Sequence, residues 1–114
     1  MDEIVLHLLG LVNRIKIYHW QTDTYAQHKI TDDLVATLNA QIDTLVEAIQ
    51  GRYGVRVGLT KLNFGNLNIS NLPATLQDSI DFLDGLEFPY SELLALRDDI
   101  VDTLDKGLYL FSFQ

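Results

Sequence analysis

Between Gly51 and Leu72 runs a stretch, GRYGVRVGLTKLNFGNLNISNL, with no helical period, whereas the sequence on both sides of it is strongly periodic. So long a connection inside a small domain is uncommon and needs a structural reason. A link that returns along the full length of a helical bundle supplies one. The interruption therefore predicts two helix pairs joined by a single long crossover. Within Lys61–Leu72, the alternation of Leu62, Phe64, Leu67, Ile69 and Leu72 predicts an extended, half-buried path.

The periodic segments give four helices in a single domain spanning residues 1–114. Helix A is expected over 2–20, with Ile4, Leu8, Leu11, Val12, Ile15 and His19 on one face. Leu6, Leu9, Ile17 and Trp20 form a second apolar face opposite. A helix that is apolar on two sides is covered on two sides, and so small a domain has one interior, so the second face is expected to meet another subunit. Helix B, expected over 24–50, has Leu34, Val35, Leu38, Ile42, Leu45, Val46 and Ile49 as its stripe. Thr24 and Gln27 fit a capping box at its start, and Gly51 and Gly54 fit its end. After the crossover (51–72), Asn71 and Pro73 open helix C (73–86), which carries Leu76, Ile80 and Leu83. Ser91 is expected to cap helix D (91–111), striped by Leu93, Leu96, Ile100, Leu104, Leu108 and Phe111. Two helix pairs with one long crossover is the all-α, ferritin-like four-helix bundle arrangement.

Composition narrows the function. The 114 residues are 47% apolar and contain no cysteine, so a packed core is expected and disulfides, zinc ribbons and thiol catalysis are excluded. The net charge of −8 is uneven: residues 78–114 hold 9 acids and 2 bases. Without a basic cluster, nucleic acid is not an expected partner. No apolar run is long enough for a membrane span, and no membrane partner is expected. The acidic start and the interruptions at His7, Asn13 and Arg14 fit neither a secretory signal nor a transit peptide, which points to a cytoplasmic location. No Glu-x-x-His, phosphate-cradling loop or Gly-x-Ser-x-Gly elbow occurs.

The residues able to carry chemistry lie on helices A and B. His28, Asp32, Asp43 and Glu47 fall on one helix at offsets of 0, 4, 15 and 19, and His19-Trp20 closes the helix before it. Imidazoles with hard carboxylates are an iron-oxidising donor set. His28 with Asp32, and Asp43 with Glu47, are i,i+4 pairs that can each converge on one ion. The two pairs cannot share an ion within one chain, since 15 residues of helix span about 22 Å. An antiparallel copy about a two-fold axis would bring the His28 end of one helix to the Glu47 end of the other, giving two identical sites. Ala36, Asn39 and Ala40, between the pairs, would allow close approach. Each residue also has a plainer reading. Asp43 and Glu47 are most often a solvated flank, His28 can be a capping-region residue, and His19 a core histidine that needs a hydrogen-bond partner. His7 reads as structural. Asp98, Asp99, Asp102 and Asp105 read as a solvated face, with an acidic cavity lining as the sharper alternative.

The pattern Lys16-x-x-His19-Trp20 … His28-x3-Asp32-x10-Asp43-x3-Glu47 closely resembles the ferroxidase signature of Dps-type miniferritins, over roughly residues 10–54. The chain also resembles the short Dps-like proteins of large DNA viruses and phages. The resemblance implies Fe(II) binding and oxidation between two-fold-related subunits, for iron sequestration or peroxide protection. His19, His28 and Asp32 would come from one chain and Asp43 and Glu47 from its partner, with Trp20 beside the site intercepting oxidising equivalents. It further implies a homo-oligomer, a dimer at least and a dodecameric cage in the family's full form, in the cytoplasm or, for a viral protein, the virion or host cytoplasm. The sequence departs from the family in a shorter His19–His28 interval, a crossover without a short helix, and the lack of basic tails. A non-catalytic ferritin-like structural or interaction protein that keeps the dimer is the alternative, as is a zinc- or manganese-binding homologue without redox turnover.

Overall fold

The computed structural model describes residues 1–65, 67 and 69–113, and its four helices are α1 (Asp2–Gln21), α2 (Tyr25–Tyr53), α3 (Leu72–Asp84) and α4 (Ser91–Phe111). Each forms where an apolar stripe recurs at helical spacing. The stripes meet in one core that includes Leu8, Leu11, Ile15, Leu38, Leu45, Leu76, Leu83, Leu93, Ile100 and Leu104, all essentially without exposure. Full burial of each leucine or isoleucine contributes about 1.5–3 kcal/mol.

Side-chain contacts fix the helix directions. His19 near the end of α1 meets His28 near the start of α2, so these two are antiparallel. His7, early in α1, meets Ser79 and Phe82, late in α3. Gln41 of α2 bonds Asp99 and Thr103 of α4, and Arg52 pairs with Glu92. The order is therefore up, down, down, up, with every adjacent pair antiparallel: α1 beside α2 and α3, α4 beside α2 and α3. Two successive helices running the same way require a connection as long as the bundle. The described residues between 54 and 71 supply it along α1: the Gly58 N–H donates to Asp2 Oδ1 at 3.0 Å, and Arg14 donates to the Phe64 carbonyl. Ile69 packs onto the core.

This path bears on the second face of α1 and on the alternation of the crossover. The second face of α1 is partly covered from within the chain, since Leu6 and Phe64 line one cavity. Leu6, Leu9 and Ile17 are half-buried, and Trp20 is 65% exposed. Phe64, Leu67 and Ile69 are half-buried as the alternation predicts, but Leu62 is exposed; Asn66 and Asn68 of the crossover lie outside the described residues.

The helix ends follow local chemistry. Thr24 caps α2, its hydroxyl accepting from the Gln27 N–H at 3.3 Å, and Asn71 caps α3 through the Ala74 N–H at 3.1 Å. The capping box is only half made, because the Gln27 side chain accepts from Tyr18 and Thr22 instead. Gly51 does not stop α2. The helix runs on to Tyr53 and ends where Gly54 takes φ 66°. Ser91 is the first residue of α4 rather than its cap: Tyr90 holds that position without a side-chain bond. Among the described residues no helix is long and apolar enough to cross a membrane.

Candidate functional site

The α1–α2 turn brings two of the candidate ligands together. Thr22, Asp23 and Thr24 alone separate the helices, so the last turn of α1 lies against the first turn of α2. His19 is 7% exposed and His28 exposed, and their rings stack at 3.8 Å between centroids with an interplanar angle of 19°. The two are tied reciprocally through their backbones. His19 Nδ1 lies 2.9 Å from the His28 carbonyl oxygen, and His28 Nδ1 lies 3.0 Å from the His19 carbonyl oxygen. A carbonyl only accepts, so each Nδ1 must carry the proton. In the neutral ring this leaves the lone pair on Nε2. A backbone carbonyl holding Nδ1–H is how proteins set a histidine's tautomer and orientation for metal binding through the other nitrogen.

Thr31 completes the arrangement, and sequence reasoning missed it. Its side chain is fully buried, and its hydroxyl donates toward the Gln27 and His28 carbonyls at 2.8 and 3.0 Å while accepting from His19 Nδ1 at 2.9 Å. The available signal was a small hydroxyl residue on the apolar stripe of α2, three residues after His28. The hydrogen-bond partner that a core His19 needs is thus found in α2.

The carboxylates are placed differently. Asp32, Ala36, Asn39, Ala40, Asp43 and Glu47 are all exposed and follow one flank of α2. Among the described residues, no three His, Asp or Glu side chains come together as a group able to hold a metal ion. Within one chain the structure therefore joins His19 to His28, leaves Asp32 outside a three-ligand cluster, and keeps Asp43 and Glu47 about four helical turns away. Trp20, next to His19 in sequence, is exposed, with Lys16 Nζ 5.2 Å from its ring. Asp98, Asp99, Asp102 and Asp105 are exposed on α4, as expected of a solvated face.

His7 is held structurally, as its sequence position suggests. Its ring stacks on Phe82 at 3.9 Å and 7°, and Nε2 lies 3.0 Å from Ser79 Oγ. Burial, and then the charge of Arg14, push its pKa below the ordinary imidazole value, partly offset by Asp78.

The sequence pattern of a family described as a family of unknown function, DUF5856, matches residues 19–111, from His19 to the last residue of α4. The chain belongs to that family. The matched region takes in all of α2, α3 and α4 together with the His19–His28 pair, while most of α1 lies before it. No curated protein and no solved structure matches this DUF5856 chain.

Proposed function

We propose that this chain is a ferritin-like, Dps-type protein that binds Fe(II) at a site shared by two copies and oxidises it. The observation that carries the reading is the His19–His28 pair, with both Nδ1 atoms held by carbonyls and both Nε2 lone pairs left for a ligand. The up-down-down-up order with one long crossover supports it, since ferritin-like bundles share that order. His19, His28 and Asp32 of one copy would face Asp43 and Glu47 of the other, across the exposed flank that Ala36 and Ala40 keep low. Iron is the substrate. The carboxylates favour Fe(III) over Fe(II) and so lower the potential. Each peroxide takes one electron from each of two Fe(II) and two protons, leaving two Fe(III) and two waters. The net charge of −8 raises the cation concentration around the molecule, although most of it lies on α3 and α4 rather than at this site.

Anaerobic addition of Fe(II) followed by peroxide, read by ferric absorbance, tests this. Saturable oxidation is expected in wild type and its loss in Glu47→Ala. Unchanged oxidation in that variant, or a strict monomer by light scattering, overturns the reading. Saturable binding of Zn(II) or Mn(II) with no oxidation identifies the redox-silent homologue instead. One observation favours the alternative of a non-catalytic bundle: Nδ1 of His19 is already satisfied by Thr31 and the His28 carbonyl, so the pair also serves as a clasp for the α1–α2 turn.

A further inference from the structure

Away from the histidine pair, polar and charged side chains gather along the seam between α1 and α3. Two adjoining cavities of about 270 and 380 Å³ open along it. His7 and Arg14 line both. Leu11, Thr75, Asp78 and Ser79 complete the first cavity, and the crossover residues Asn63 and Phe64 close the second.

Arg14 is half-buried. Among the described residues it makes no ion pair, and its hydrogen bond goes to the Phe64 carbonyl. The half-buried Arg97 differs: Asp98 and the Leu83 and Leu86 carbonyls engage its guanidinium. Arg14 also lies close against α1. Its Nη1 lies over Gly10, where a Cβ would come within 2.6 Å, so the bare backbone of Gly10 makes room for the guanidinium. A planar fork of N–H donors that lines a cavity, with one protein hydrogen bond among the described residues, suits an oxyanion.

We propose that the α1–α3 seam binds a small oxyanion, a phosphate or a carboxylate group, on the Arg14 guanidinium, with His7, Thr75 and Ser79 completing the site. Ser79 is 3% exposed, and its hydroxyl already faces His7 Nε2. Two acids oppose the ligand: Asp78 on α3 lines the first cavity and Glu3 on α1 the second, both from exposed positions. The crossover contributes only neutral groups. The site is therefore selective for a group that engages the guanidinium directly rather than for diffuse negative charge. An anion here offsets the Arg14 charge at His7 and favours the imidazolium, so binding takes up a proton.

Inorganic phosphate and, separately, acetate, titrated into the full chain at ionic strength fixed with chloride, test the site by NMR of the Arg14 guanidinium and His7 ring. Saturable shifts of both groups with one of the two anions, and a raised His7 pKa at saturation, are expected; which anion acts separates phosphate from carboxylate ligands. Arg14→Gln should weaken binding about tenfold or more, and Arg14→Lys should also weaken it by removing the fork. Asp78→Asn should tighten it. If Arg14→Gln fails to fold by circular dichroism, Thr75→Val takes its place with the same expected direction. Shifts that chloride reproduces, no saturation with either anion, or full binding in a folded Arg14→Gln or Thr75→Val variant would overturn the proposal.

Discussion

Replacing Thr31 by valine isolates the hydroxyl that holds His19. Valine keeps the branched shape at a fully buried position, so no cavity opens, and its methyl has to draw back a few tenths of an ångström from the carbonyls the hydroxyl touched. What is lost is the hydroxyl's donation toward the Gln27 and His28 carbonyls, which still accept helical N–H groups, and the bond it accepts from His19 Nδ1. That nitrogen still has the His28 carbonyl at 2.9 Å, so it is not orphaned, and the penalty for a buried unsatisfied donor does not apply. The net value of one hydrogen bond sets the expected cost at about 1 kcal/mol. An unfolding entropy of about 2.1 cal/mol/K per residue gives about 0.24 kcal/mol/K for a chain of 114 residues, so Tm should fall by about 4 °C. Urea unfolding followed at 222 nm measures ΔΔG, and a thermal scan gives the shift. A change under about 1 °C would mean that Thr31 contributes nothing to the clasp. A change over about 10 °C, above roughly 2.4 kcal/mol, would mean that the His28 carbonyl does not hold the ring alone. Either result refutes the reasoning.

Other outcomes follow from the same structure. The folded-state pKa of His7 is depressed, so the unfolded chain takes the proton first as pH falls. This contribution to stability is complete above the unfolded value of about 6.5 and is lost as pH drops toward the folded value. His7→Phe, which keeps the stack on Phe82, should flatten that part of a urea-midpoint profile against pH. Two helical glycines separate propensity from packing. Gly51→Ala meets nothing within 4 Å and should stabilise by about 0.5–1 kcal/mol. Gly107→Ala would place a Cβ 3.1 Å from Leu34 Cδ2 and 3.3 Å from Leu76 Cδ1, so it should fall short of that gain or destabilise, as denaturation midpoints of the two variants will show. Asn71→Ala removes the α3 cap and should cost about 1 kcal/mol by urea denaturation.

The fold was largely legible because its signals are local. The stripes of α1 to α4 recur within each segment, and Thr24, Asn71 and Gly54 mark ends by chemistry that reaches only a few residues. Ser91 misled because a hydroxyl next to a helix start resembles a cap, and only the backbone angles place Tyr90 there. Gly51 misled because glycine inside a long, otherwise favourable helix is tolerated at a cost of about 1 kcal/mol. The crossover's length pointed to its role, but its route over Gly10 did not show, since that depends on a contact between residues far apart in sequence. At the candidate site, residue types and offsets were readable along α2. The reciprocal hold of His19 and His28 was not, because it arises from a three-residue turn that sets two helix ends face to face.

The alternating helix directions also govern how the molecule acts at a distance. α2 and α3 begin at the end of the bundle where α1 and α4 finish. Each end thus presents two helix N-termini and two C-termini, and the macrodipoles, about half a charge at each terminus, oppose one another. Little axial field remains. What an approaching ion feels beyond the first few ångströms is set by side chains, and these are lopsided across the bundle rather than along it: the α3–α4 half carries most of the negative charge. Cations are therefore drawn to one side of the cylinder instead of to its tips. That bias has a range of about 8 Å at physiological salt and fades as salt is raised.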